Sequence, residues 1–343
     1  MGTREDAMRD LEAAVIGTGG AARLHMQAYA EGPHTQPVAV CSGDLARAQA
    51  FAAEFGARGY ASVEEMLAAE RPDVVSVATL EWEHETPVLR ALEAGAHVLC
   101  EKIMADTVAS GEKMLAAARA ANRTLGVNYN YRTVPAHRII KEELARGGLG
   151  APALFSAHMH AYLWPHLLDL LRFFFGDPAE VTAAMVDDQA LRPPVSGGPS
   201  GRPWKFGEGI EMLYHPSIAV SASLRFRNPD FLASMSASAL VPLEENFWSF
   251  ALFGTAGTVS IDRATRTNLN GLASLGPIAE SIAALPAYSY ADSFADSVAS
   301  FIDSIREGKA APVTGEDGLA ALRLDAAITE SIRTASPVPF TAN

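Results

Sequence analysis

The segment Val15-Ile16-Gly17-Thr18-Gly19-Gly20-Ala21-Ala22 constrains the fold of this chain more than any other. It ends a short strand-forming run, Ala13–Gly17, and opens an Ala-rich helical stretch, Ala21–Ala30. The spacing fits G-x-G-x-x-A: Gly17 for a tight turn, Gly19 for close approach of a pyrophosphate, and Ala22 for tight helix–strand packing. Gly20, Ala21 and Ala22 then lie at a helix N-terminus, where free N–H groups and the positive dipole end favour phosphate. The motif alone is weak. Its place in the chain strengthens it, because further strand-like runs at Val38–Cys41, Val74–Ala78, His97–Cys100 and Leu125–Asn128 alternate with helical stretches. That alternation predicts a parallel sheet with helices on both faces.

The pattern changes near residue 130. Helices are expected at Pro135–Ala145 and Pro165–Phe175, with a strand at Leu154–Tyr162 between them. From about 179 to 262 come strand-like runs joined by short turns, which predicts a mainly antiparallel sheet. Leu191–Lys205, rich in Pro, Gly and Ser, reads as a long loop. Helices at Ser293–Glu307 and Glu316–Thr334 complete the pattern. A length of 343 residues suits two domains, expected at 1–130 and 131–343.

Forty acidic and 27 basic residues give a net charge of −13. That balance argues against a nucleic-acid footprint and against an anionic membrane surface. No run of 18 apolar residues and no signal-like start is seen, so a cytoplasmic setting is the expectation. Cys41 and Cys100 read as buried small hydrophobes.

The second strand ends Val40-Cys41-Ser42-Gly43-Asp44. A carboxylate at Ser42 would favour NAD by accepting from the ribose 2′-OH. Ser42 and Gly43 instead offer a hydroxyl and backbone N–H groups, and Arg47 adds a charge one turn on. The cofactor expected is therefore NAD(P), leaning to NADP, with Asp44 reaching back to the ribose as the alternative. Lys102, one of five lysines, comes after the run His97–Cys100 at the sheet edge where such folds bind ligands. A lysine there is a candidate for proton transfer at a substrate hydroxyl.

The order Gly17-x-Gly19-x-x-Ala22-x-x-His25, Ala78-Thr79 with His84, Glu101-Lys102 and Asn130-Tyr131-Arg132 resembles the glucose–fructose oxidoreductase/inositol dehydrogenase (Gfo/Idh/MocA) family. Phe253-Gly254-Thr255-x-Gly257 and Pro312–Gly318 agree with it. The resemblance implies a Rossmann domain followed by a domain on a large, mainly antiparallel sheet, with the last helix, 316–334, packing back on the first domain. It implies NAD(P)-dependent oxidation or reduction of a CH–OH group on a sugar, inositol or related polyol, and a homodimer or homotetramer. By the same resemblance Lys102 is the active-site lysine, Thr79 and His84 belong to a turn lining the cofactor, and Glu101 lies near the nicotinamide ribose. His25 is a packing and positioning residue.

Three departures stand out. Ile103 replaces the proline that follows the lysine; that proline commonly carries a cis bond, and a cis bond before Ile is costly. Leu80-Glu81-Trp82 replaces an Asn-Pro-like pair. The D-x-x-x-H acid/base pair appears as Tyr162-Leu163-Trp164-Pro165-His166, so His166 stands at the histidine's place and Tyr162 at the aspartate's. Lys102 and His166 are the expected acid/base groups, with Tyr162 orienting or donating a proton. Tyr131, Arg132 and Trp164 adjoin these motifs as candidate substrate contacts, and Trp82, Trp204, Phe206 and Tyr214 are further aromatic candidates. His158, His160 and Tyr162 are expected on one strand face by alternation. With no carboxylate or cysteine interleaved, no metal is expected. The resulting expectation is a dehydrogenase of a sugar-like substrate. The alternatives are a non-catalytic NAD(P)-binding sensor on the same fold and a dehydrogenase of a larger glycoside or aromatic diol.

Overall fold

Six short runs rich in Val and Ala pair in parallel to build the first sheet. They are β1 (Leu11–Ile16), β2 (Thr35–Cys41), β3 (Arg58–Tyr60), β4 (Val74–Val77), β5 (His97–Glu101) and β6 (Leu125–Asn128), in the order β3-β2-β1-β4-β5-β6. Residues Ala13–Ile16 and the whole of β4 are buried, as strands covered on both faces must be. Helices α1 (Gly20–Glu31), α2 (Leu45–Ala53), α3 (Val63–Glu70), α4 (Glu85–Glu93) and α5 (Val108–Ala121) provide that cover. Asp44, Ser62 and Thr107 cap α2, α3 and α5 by accepting from the N–H of Arg47, Glu65 and Ser110. The computed structural model describes residues 9–186, 219–238, 248–273, 276 and 278–341.

The chain divides into two units: residues 1–130 with Phe294–Leu322, and Tyr131–Ser293 with Arg323–Asn343. The sequence pattern assigns all of 131–343 to the second domain; Phe294–Leu322 instead belongs with the first unit, where Val298, Phe301 and Ile302 join its core.

The second unit holds α6 (Pro135–Arg146), β7 (Pro152–His160), α7 (Trp164–Phe175), β8 (Glu180–Val186), β9 (Ala219–Arg227), β10 (Asp230–Ser238), β11 (Trp248–Gly254), β12 (Thr258–Ala264), β13 (Leu272–Ala273) and α8 (Ala279–Ala283). Helices α9 (Tyr290–Glu307) and α10 (Gly315–Thr334) each contribute residues to both units, and β14 (Val338–Pro339) closes the chain. The eight-stranded sheet of this unit runs β13-β12-β11-β7-β10-β9-β8-β14. Every pair is antiparallel except β7 and β10. Strands β9 and β10 alternate buried and exposed residues, so one sheet face is core and the other is open. The buried face packs Phe155, Leu224, Phe226 and Phe250 with Leu167, Leu171 and Phe174 of α7 in one cluster.

Two expectations change here. The strand ends at His160, not Tyr162: residues Ala161–Leu163 form a 3-10 turn, because His160 Nδ1 accepts from the Tyr162 N–H (3.0 Å) and bends the chain. Tyr162 therefore does not continue the alternation of His158 and His160. The expected loop Leu191–Lys205 and the aromatics Trp204, Phe206 and Tyr214 lie outside the described residues.

His137 on α6 is wholly buried among the rings of Tyr131, Phe174, Trp248 and Phe250. Its Nδ1–H donates to the Tyr131 carbonyl (2.8 Å), which fixes the neutral ring. Burial pushes the imidazole down to about 4. The unfolded chain takes up this proton below about 6.5 while the folded chain does not. The His137 contribution is thus complete at pH 7 and is lost as pH falls from about 6.5 towards 4, by roughly 3 kcal/mol in all. Thermal melting from pH 7 to pH 5 should show a shallower decline for His137→Asn than for the wild type. Equal slopes would mean that His137 titrates normally in the folded state.

Candidate functional site

Parallel pairing brings the carboxyl ends of β1, β2, β4, β5 and β6 to one edge of the first sheet. At the end of β1, Gly17 donates its N–H to the Cys41 carbonyl (2.9 Å). Its φ is +126°, and a Cβ there would stand 2.4 Å from the Ala78 carbonyl oxygen, so β1 and the turn after β4 approach as closely as only glycine allows. Gly19 caps α1 without a side-chain bond. A Cβ on Gly19, Gly20 or Gly43 would meet no atom within 4 Å. The chain therefore gains nothing internal from glycine at those places, and the space before α1 stays open. Ala22 is fully buried, and the first turn of α1 carries no acidic side chain.

Beyond β2, Arg47 Nη2 donates to Ser42 Oγ (3.0 Å). Asp44 accepts from the Arg47 N–H (3.1 Å) as the α2 cap, so its carboxylate serves that helix. After β4, the Thr79 hydroxyl is buried with no hydrogen-bond partner among the described residues. His84, 1% exposed, lies against the carbonyls of Ile103 (2.9 Å), Met104 (3.3 Å) and Thr79 (3.3 Å). It ties the turn after β4 to the turn after β5. The Lys102–Ile103 peptide bond in that second turn is cis. Lys102 itself is 8% exposed.

Glu101, at the last position of β5, is buried yet well paired. Its Oε1 accepts from His25 Nε2–H (2.7 Å) and Asn128 Nδ2 (2.6 Å). His25 Nδ1 meets Ser76 Oγ (3.0 Å), Ser76 meets the Tyr29 hydroxyl (2.7 Å), and Ser297 donates to Asn128 Oδ1 (2.7 Å). Burial alone would push the Glu101 carboxyl up; the bonds from His25 and Asn128 and the Lys102 charge outweigh it and hold the group below the usual carboxylate range. Asn128, Ser76 and Ser297 were not singled out by sequence reasoning. Asn128 had a usable signal, a polar residue closing an apolar strand at the same edge, and it pairs in register with Glu101.

In the second unit, the Tyr131 and His166 rings stack with centroids 4.2 Å apart and planes 16° apart. Arg132 grips Asp169 with two bonds, 2.8 and 2.6 Å, one turn along α7 from His166. Tyr131 and His166 are each about 1% exposed. Trp164 is also about 1% exposed, and its Nε1–H donates to Asp325 (2.9 Å), so its indole belongs to the core rather than to an open substrate surface. Tyr162 is half-buried. His158 is exposed and bonds Ser236 Oγ (2.6 Å). Among the described residues no three His, Cys, Asp or Glu side chains are placed to share a metal ion, and no helix is long and apolar enough to cross a membrane.

The edge fits a dinucleotide. The open space over Gly19 and Gly20, the acid-free start of α1, and the unpartnered Thr79 hydroxyl all suit a bound phosphate-bearing ligand. Comparison with known proteins agrees. Residues 11–129 match an oxidoreductase family described as an NAD-binding Rossmann fold, and residues 159–340 match the C-terminal alpha/beta domain of the same family. A 1,5-anhydro-D-fructose reductase of Ensifer adhaerens is 31% identical over 209 residues, a match of 53% of this chain and 61% of that protein, so the chain spans less than two thirds of that relative. Inositol 2-dehydrogenase 3 of Saccharopolyspora erythraea is 26% identical over 95% of this chain and 94% of its own length. Levoglucosan dehydrogenase, solved with NADH and levoglucosan, superposes with a TM-score of 0.81 at 21% identity, covering 98% of this chain and 100% of that one, a likeness of fold. With both domain models matched across most of its length, the chain belongs to the Gfo/Idh/MocA family of oxidoreductases.

Proposed function

We propose that this protein is an NAD(P)-dependent dehydrogenase or reductase acting at a secondary alcohol or ketone carbon of a sugar, inositol or sugar-like substrate. The observation that carries the reading is the edge of the first sheet, where an open phosphate-loop space follows β1 and Lys102 follows β5, two parallel strands with β4 between them. The nicotinamide, when bound, supplies hydride transfer. Gly17, Gly19, Gly20, Ala21 and Ala22 hold the phosphates, with Ser42, Gly43 and Arg47 beside the adenosine ribose. Thr79 offers a hydroxyl on the turn that His84 braces. Lys102 and His166 hold and move the proton at the substrate oxygen. Tyr162, at the place where the resemblance implies an aspartate, orients rather than charges the site. The Tyr131 stack and the Arg132–Asp169 bridge fix the His166 ring and helix turn.

Arg47 at Ser42 Oγ gives a cation and a hydroxyl where a 2′-phosphate is read, while Asp44 is engaged at the α2 cap. NADPH is therefore expected to bind more tightly than NADH by calorimetric titration. Tenfold tighter NADH, a preference of about 1.4 kcal/mol the other way, would reverse that reading.

Turnover on a panel of polyols and sugars, followed by nicotinamide absorbance, tests the activity. Lys102→Ala should lower turnover by roughly two orders of magnitude and leave cofactor affinity within a few-fold, and His166→Asn should also remove most activity. Cofactor binding without turnover on any substrate would make the protein a sensor.

The open face of the eight-stranded sheet carries Phe253, Leu154 and Leu232 side by side on β11, β7 and β10, each at least 38% exposed. A second copy covering them fits the expected homodimer or homotetramer. Light scattering should give at least a dimer, and Leu154→Glu should shift it towards monomer.

A further inference from the structure

The turn that follows β12 carries an arginine whose charge has no acidic partner. Thr265 and Asn268 exchange backbone hydrogen bonds (3.0 and 3.1 Å), which leaves Arg266 and Thr267 at the tip. Asn268 Oδ1 accepts from the N–H groups of Asn270 (3.2 Å) and Tyr288 (3.4 Å) and so fixes the base of the turn. The Arg266 carbonyl accepts from the Tyr290 N–H (2.8 Å), and its guanidinium lies over the Tyr290 ring, 5.1 Å from the centroid. Backbone and side chain are thus both anchored to one tyrosine.

Arg266 is exposed, and no carboxylate among the described residues bonds it. The acids on the flanking elements are engaged elsewhere. Asp262 on β12 accepts from Ser260 Oγ (3.3 Å), and Asp292 on α9 accepts from the Ser289 N–H and hydroxyl (2.7 and 2.8 Å). A guanidinium stacked by its face keeps its N–H edge for other acceptors, in a fork that matches carboxylate or phosphate oxygens. An apolar side chain would cover Tyr290 as well, so packing leaves the charge unexplained.

Its surroundings give the charge a use. The Tyr290 ring stands edge-on to Tyr131 (6.4 Å, 90°), and Tyr131 stacks on His166. Burial pushes the Tyr131 phenol well up, the Tyr162 phenol adds to that, and the Arg266 charge opposes both. Arg266 and Tyr162 therefore both act on the ring that lies against His166, and all five residues belong to the second unit.

We propose that Arg266 is a specificity-determining residue: its N–H edge binds an anionic group, carboxylate or phosphate, carried by the sugar-like substrate whose alcohol or ketone meets His166. This rests on the function proposed above and narrows its substrates to sugar acids or sugar phosphates. The anion is not the reacting group, so its contact is the same in the ground state and the transition state, and it acts on KM rather than kcat.

The test compares neutral hexoses, pentoses and polyols with the uronate or aldonate and the phosphate ester of each. For the best pair, wild type should favour the charged member by at least about tenfold in kcat/KM, the scale of one charge-assisted contact, and the better anion separates carboxylate from phosphate. Arg266→Gln should raise KM for that member at least about tenfold, with kcat within about threefold and neutral members within about twofold. Arg266→Lys, which keeps the charge without the fork, should recover part of the loss. Preference for the neutral member of every pair, or equal weakening of charged and neutral members by Arg266→Gln, would overturn the anion contact and leave the oxidoreductase reading intact. Absence of turnover on the whole panel would count against that reading instead, and calorimetry then decides the site. The charged members should still bind wild type more tightly than Arg266→Gln; equal affinities would overturn the anion contact too.

Discussion

The site depends first on parallel pairing. In an antiparallel sheet, neighbouring strands end at opposite edges; in β3-β2-β1-β4-β5-β6 all end at the same one. Gly17, Ser42, Thr79, Glu101 and Asn128 lie far apart in sequence, yet each closes or shortly follows a strand of this sheet. The pairing has a steric condition at its centre. The ends of β1 and β4 come close enough for the Ala78 carbonyl to fill the place of a side chain on Gly17. A larger residue there would part these strands and displace both the phosphate loop and the Thr79 turn.

A second condition is electrostatic. An unpaired carboxylate in the place of Glu101 would be costly to bury, by several kcal/mol, and would tend to take up a proton. It remains charged because His25, Asn128 and the Lys102 ammonium compensate the lost hydration. The compensation is distributed over α1, β6 and the end of β5, so the packing of those elements and the ionisation of the edge are one problem. Loss of any donor would be felt both as stability and as charge at the site.

Much of this was legible before the structure. The span Leu125–Asn128 is a strand as expected, and the parallel-then-antiparallel division stands. These features rest on local signals: capping residues, apolar runs and glycine spacing. What was missed is non-local or too short to have a period. Strand β3 has three residues, Arg58-Gly59-Tyr60, and exists because Gly59 lets the α2 backbone approach to within 2.4 Å of where its Cβ would be. The parallel β7–β10 pair joins segments some 80 residues apart, which no window of sequence reveals. Trp164 reads from the sequence as a candidate substrate contact beside a motif; its indole N–H bonds Asp325, a partner 161 residues away.

Tyr162 shows how one local bond can redirect a functional position. Alternation along β7 would have put it beside His158 and His160 on the sheet face. The His160 imidazole instead captures the Tyr162 N–H, and the chain turns into α7 within three residues. Strand and helix are therefore joined with no intervening loop, and His166 enters the first turns of α7 already held by the Tyr131 ring. A carboxylate at position 162 would have brought charge to this junction. With tyrosine there instead, the ionic grip on α7 is that of Arg132 and Asp169, one turn beyond His166. The second unit thus holds its histidine by ring stacking beside a two-bond salt bridge on the same helix, while the first unit holds its carboxylate by hydrogen bonds from two other elements.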